Sequence, residues 1–253
     1  MDRLTELFSP SCWVPEKSRE DVMNEFLSGI QTAYSELKKD TSVAREEDIS
    51  YGQEDSQKVD EGDRKGCLTP AKCAISNGFA FASVGYRLAI NGTTLTETVE
   101  DAIKGVEFLL QKYPDVKNVV VGGHSAGALL AYHVIIKLQD PRIRGMLIYS
   151  GCFFLQELIP TEIGKDINLT EEQAELNSCN VALLDGLSGL KIVVVIGNVE
   201  APKLIEQNLQ LLGDLPDAEL VEVTLSTHYT IMTNMLDAKS EESVGISKWL
   251  QGF

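Results

Sequence analysis

The chain has 253 residues, 43% of them hydrophobic and 24% charged, which suits a soluble globular protein with room for one large α/β domain. A formal net charge of −16 argues against nucleic acid and anionic membrane as partners, because both require basic patches. The five cysteines are odd in number and scattered, the start Met1-Asp2-Arg3-Leu4 has no leader character, and no apolar run could span a bilayer. A reducing cytoplasmic setting with free thiols is therefore expected.

In chain order, Ser9-Pro10-Ser11-Cys12-Trp13-Val14-Pro15 reads as an extended segment pinned by Trp13. Ser18 starts an amphipathic helix with Val22, Phe26, Ile30, Ala33 and Leu37 on one face, and Lys38-Lys39-Asp40 ends it. Residues 48–60 alternate weakly and predict one or two edge strands, followed by a charged surface loop over 60–66. Thr69-Pro70 reads as an N-cap with proline at the first helical position, and Asn77-Gly78 as a helix stop. Residues 79–86 are expected to form a buried strand.

Strands and helices then alternate. Thr94-x-x-Glu97 is a capping box ahead of a helix carrying Val99, Ile103, Val106 and Leu110, which stops before Pro114. Strands are predicted at 118–121, 145–149, 191–196 and 220–225, and helices at 126–138, 202–212 and 237–250. The segment 152–188 is a cap-like insertion with helical pieces, one starting near Thr170. Apolar strands separated by helices imply a mostly parallel sheet covered on both faces. The whole of 1–253 reads as one domain, with 1–40 an amino-terminal segment and helix.

Val119-Val120-Val121 runs into Gly122-Gly123-His124-Ser125-Ala126-Gly127. Gly123-x-Ser125-x-Gly127 between a strand and a helix is the nucleophile-elbow pattern, which raises a serine oxygen above a sheet and aims the next N–H, here that of Ala126, at a developing oxyanion. Its plain alternative is a glycine-rich turn whose serine caps the helix. A serine needs a base, and the base needs an acid to hold its tautomer. Two late strands run into Glu200 and His228, in the order serine, acid, histidine. His228 is the expected base. His124 is locked in the elbow, and His133 lies roughly 12 Å down the helix at 1.5 Å per residue, so packing or a place at the surface is its expected role. Glu200 is the expected acid, with Asp185, Asp214 and Asp217 left open. No histidine stands at metal-ligand spacing, so no metal is expected.

These residues resemble the kynurenine formamidase (arylformamidase) family of the α/β-hydrolase superfamily. The resemblance is carried by Ser9-Pro10-Ser11-x-Trp13-Val14, Gln111-Lys112-Tyr113-Pro114, Gly123-His124-Ser125-Ala126-Gly127-Ala128, Ser150-Gly151-x-Phe153, Gly197-x-x-Glu200-Ala201-Pro202 and Thr227-His228-Tyr229. It implies an α/β-hydrolase-like sheet, a small-molecule substrate and cofactor-free hydrolysis of N-formyl-L-kynurenine to kynurenine and formate in tryptophan breakdown. A homodimer is left open.

The family also places a central strand and a His-Gly-Gly loop before the helix that begins near Thr69. Here residues 60–67 hold neither an apolar run nor His-Gly-Gly. One central strand and one oxyanion donor are thus expected to be missing, as in an isoform lacking an exon. A catalytically impaired relative and a small-ester carboxylesterase are the competing readings.

Overall fold

A computed structural model of the protein describes residues 1–42, 44, 46–60 and 68–253. The expected loop over 60–66 and the segment in which the family's missing strand would fall lie, apart from Asp60, outside the described residues. The elements run α1 (Arg3–Phe8), α2 (Arg19–Lys39), β1 (Ile49–Ser50), β2 (Lys58–Asp60), α3 (Ala71–Ser76), β3 (Ser83–Val84) and α4 (Leu95–Lys112). They continue β4 (Val119–His124), α5 (Ala126–Leu138), β5 (Ile143–Tyr149), α6 (Glu162–Asp166), α7 (Glu171–Asn177) and α8 (Val181–Asp185). The chain closes with β6 (Lys191–Val199), α9 (Pro202–Asp214), β7 (Glu219–Thr227), α10 (Thr230–Thr233) and α11 (Glu241–Leu250).

β4, β5, β6 and β7 form a parallel sheet in that order. Strand alternation sorts its side chains between two apolar layers. Met146, Ile148, Ile192 and Val194 face a core built from α4, α5, α9 and the 152–188 cap. Leu147, Tyr149, Val193 and Val195 face a second core with α3, α10 and α11. Near-continuous Val/Ile runs are what a doubly covered parallel strand requires, and β6 has them. The Thr94–Glu97 capping box is formed, with each side chain bonded to the other's backbone N–H. Ser18 and Thr170 likewise cap their helices.

The front of the sheet departs from expectation. β1, β2 and β3 make a separate antiparallel sheet, and among the described residues no strand joins β3 to β4. The strand expected over 79–86 shrinks to Ser83–Val84, with Ala80 and Ala82 exposed. Apolar sequence makes a strand only where a partner edge is available, and β2 offers β3 one edge alone. The helix expected from Pro70 begins one residue later, at Ala71.

α4 bridges the two sheets. Asp101, fully buried, accepts from Arg87 Nε at 2.8 Å, Arg87 Nη2 at 2.9 Å and Gln57 Nε2 at 2.7 Å. Burial pushes the Asp101 carboxyl up, but the bonds from Arg87 and Gln57 outweigh it and the net shift is downward. A carboxylate held below its unfolded value of about 3.9 contributes stability above that pH, and loses it as pH falls through the folded value. Arg87→Ala leaves a buried charge without its counter-ion, so we expect a loss of about 3 kcal/mol in urea melts at pH 7, the low end for a buried pair. Arg87 is itself 26% exposed, which sets the low end.

Candidate active site

Ser125 sits between β4 and α5 with φ 55° and ψ −122°, a strained backbone for any residue with a side chain. Three bonds hold it there. Its N–H donates to the Tyr149 carbonyl at 2.9 Å, and its own carbonyl accepts from Ala128 N–H at 3.1 Å and Cys152 N–H at 3.4 Å. Strand and helix pass so close that a Cβ on Gly123 would lie 2.0 Å from the Gly127 carbonyl oxygen. The Ala126 N–H opens the helix with no acceptor among the described residues, and Ala126 is exposed. One preorganised donor thus faces the space above Ser125.

The loops that carry Glu200 and His228 leave β6 and β7 at their carboxyl ends, where open α/β sheets bind ligands. A Cβ on Gly197 would lie 2.1 Å from the Ser226 carbonyl oxygen, so glycine lets the two loops close on each other. His228 Nδ1 and Glu200 Oε2 are 2.7 Å apart, with His228 only 5% and Glu200 4% exposed. The longer arm of glutamate folds back: its other oxygen accepts from the Ala201 N–H at 2.6 Å. Of the acids left open by sequence, Asp185 and Asp214 line a shallow depression with Cys179 and Val181 that includes neither Ser125 nor His228. Asp217 is exposed.

The elbow and the base loop touch through His124. Its Nε2 lies 2.8 Å from the His228 carbonyl oxygen, so that nitrogen must donate, and the two imidazoles meet at a tilt of 42° with centroids 4.3 Å apart. Desolvation holds the His124 pKa well below the usual histidine range, and the neighbouring His228 lowers it further. His124 is therefore neutral at pH 7, with its single ring hydrogen on Nε2 because the carbonyl there only accepts. Among the described residues Ser125 Oγ makes no hydrogen bond, so the link from serine to histidine is open in this state. Such links often tighten only when substrate is bound.

His133 has the packing role expected of it, with Nε2 2.8 Å from the Asn177 carbonyl of the cap. Burial pushes the Cys152 thiol up to about 12, so it stays protonated at pH 7. The sequence reading missed Phe26. The helical spacing puts it on the core face of its helix, and it also brings its ring within 5.2 Å of Tyr229 and 6.2 Å of His124, making an aromatic wall over the elbow. Only the helix-to-loop contact reveals this. Among the described residues no group of three or more His, Cys, Asp or Glu side chains could hold a metal, and no helix is long and apolar enough to cross a membrane.

Residues 69–184 match a family model described as alpha/beta hydrolase fold. Kynurenine formamidase of Danio rerio is 24% identical, with 93% of this chain and 92% of the relative covered. That of Salmo salar matches at the same identity and coverage. The chain has the α/β-hydrolase fold and is similar to kynurenine formamidases over nearly its whole length. The Danio match runs over 273 aligned positions, more than the 253 residues of this chain, so that relative carries stretches which this one lacks. Among solved structures, a putative thioesterase from Silicibacter sp. TM1040 superposes with a TM-score of 0.77 at 19% identity, covering 96% of this chain and 98% of its own. A hyperthermophilic esterase from Pyrobaculum calidifontis superposes with a TM-score of 0.65 at 14% identity, covering 92% and 93%.

Proposed function

We propose that this arylformamidase-like chain is a cytoplasmic serine hydrolase that cleaves N-formyl-L-kynurenine to L-kynurenine and formate, a step of tryptophan breakdown. The observation that carries the reading is the buried 2.7 Å pair of His228 and Glu200, with His228 packed on His124, the residue before the strained Ser125. The names of the two fish relatives supply the substrate.

In this mechanism Ser125 Oγ attacks the formyl carbonyl as its proton passes to His228 Nε2. Glu200 holds the opposite ring nitrogen protonated and stabilises the imidazolium that forms. The oxyanion rests on the Ala126 N–H. His228 then returns the proton to the leaving amine, freeing kynurenine and leaving formyl-Ser125. Water, deprotonated by His228, releases formate and restores the hydroxyl. Ala126 supplies one donor. A missing second donor costs about 2.7–4 kcal/mol, or on the order of 10²–10³ in rate, so a modest kcat is expected.

Two other readings have support of their own. The lack of a strand joining β3 to β4 among the described residues favours an impaired relative, and the esterase neighbours favour a small ester. Turnover of N-formyl-L-kynurenine compared with p-nitrophenyl acetate separates the three. A higher kcat/KM for the formamide is the expected result. Preference for the ester overturns the formamidase reading, and inertness toward both favours the impaired relative.

A further inference from the structure

We propose that Glu242 is a positioning residue for the histidine loop: its buried carboxylate ends a one-way chain of hydroxyls that clamps residues 226–230 and so holds the His228 ring on Glu200. The inference rests on the reading of His228 as the base.

Glu242 lies in the first turn of α11 and is 1% exposed. Among the described residues no lysine or arginine pairs with it. A carboxylate buried without a counter-charge is costly, and pure packing would be served better by an apolar side chain. The helix N-terminus offsets part of that cost but does not require burial: Glu241, its neighbour in the same turn, stays at the surface. The partners of Glu242 are all neutral. Its Oε1 accepts from Ser226 Oγ at 3.0 Å and from Asn234 Nδ2 at 2.9 Å.

The direction of the remaining bonds follows from these. A carboxylate accepts only, so the Ser226 hydroxyl must spend its hydrogen on Glu242. Ser226 Oγ is also 3.1 Å from Thr230 Oγ1, and with its hydrogen committed it must accept there. Thr230 Oγ1 in turn lies 3.1 Å from Thr227 Oγ1, from which it must accept, and it also takes the Thr227 N–H at 2.7 Å. Thr227 Oγ1 closes the loop by accepting from the N–H groups of Thr230 at 3.1 Å and Tyr229 at 3.3 Å. The hydroxyl hydrogens of Thr227, Thr230 and Ser226 therefore all point along the chain toward Glu242. Such an aligned chain is mutually polarised and has one low-energy arrangement. With no acceptor at its end, Ser226 and Thr230 are free to reverse and the loop loses its single conformation. His228 lies inside this cage, between Thr227 and Tyr229.

The test compares E242Q, E242L and T230V with the wild type. E242Q keeps a carbonyl acceptor for Ser226 and Asn234. T230V cuts the chain while leaving Glu242 bonded to Ser226. Four readouts apply: kcat and KM for N-formyl-L-kynurenine, melting temperature, amide hydrogen exchange at residues 226–230, and the low-field proton resonance of His228 Nδ1. We expect E242Q to stay within about threefold of wild-type kcat. We expect T230V to fold, to lose tenfold or more in kcat with KM within twofold, to exchange faster at 226–230 and to broaden the Nδ1 resonance. E242L should do the same. The proposal is overturned if T230V matches the wild type in exchange and resonance, if only its melting temperature falls, or if E242Q behaves like E242L. If the wild type itself turns over no substrate, the functional reading fails, while exchange and the ring resonance still decide the role of Glu242.

Discussion

Replacing Ser125 with alanine is expected to abolish covalent capture by a fluorophosphonate and to cut formamide turnover by about 10⁴-fold. Loss of the serine from a complete triad costs roughly 10⁶ in kcat. With Ala126 as the single oxyanion donor, as proposed, the starting rate is lower by on the order of 10²–10³, and the measurable fall shrinks accordingly. The substitution is also a clean one. Ser125 owes its φ of 55° to bonds made by its backbone with Tyr149, Ala128 and Cys152, none of which alanine removes. Melting temperature should therefore stay put. Ser125→Gly, which relieves the backbone strain, should raise stability by about 1 kcal/mol while being equally dead. A labelled alanine variant, or a fall in turnover of less than tenfold, removes Ser125 from the reaction.

What could be read from sequence was what is local. The elbow is a strand, a tight turn and a helix in consecutive residues, so its pattern and its geometry are nearly the same information. The caps at Ser18, Thr94 and Thr170 are local too, and each forms as expected. β6 was legible because an unbroken Val/Ile run has few other uses. The short strand at Ser83–Val84 was not. Residues 79–86 have strand composition, but a strand is a pairing, and whether an edge is free to receive it depends on residues far away in the chain. The polar clamp of Gln57, Arg87 and Asp101 was hidden for the same reason, since charged residues in sequence look like a solvated surface. Glu242 is the sharpest instance. Beside Glu241 it reads as an ordinary acid in a helix's first turn, and only the approach of Ser226 and Asn234 sets the two apart.

The same logic of committed hydrogens decides the expected result for Glu200→Gln, a loss of about 10⁴-fold in kcat with little change in stability. Glu200 uses both oxygens: one accepts from the Ala201 N–H at 2.6 Å, the other from His228 Nδ1 at 2.7 Å. A glutamine placed there has one oxygen and one amino group to offer. The Ala201 N–H can be met only by the oxygen, so the amino group is turned toward His228. An amide N–H facing Nδ1 forces that nitrogen to accept, which moves the ring proton to Nε2. The nitrogen that should take the serine proton is then already protonated, and the imidazolium loses its counter-charge as well. The fall should appear in kcat and in the rate of phosphonate labelling alike, because both require Nε2 to be a base, while KM should hold. Labelling at the wild-type rate in this variant assigns the role of the acid elsewhere. Glu200→Asp offers the contrast: it keeps the charge but shortens the arm that folds back, so the bonds to Ala201 and His228 compete for one reach, and a smaller loss confined to kcat is the outcome consistent with this geometry.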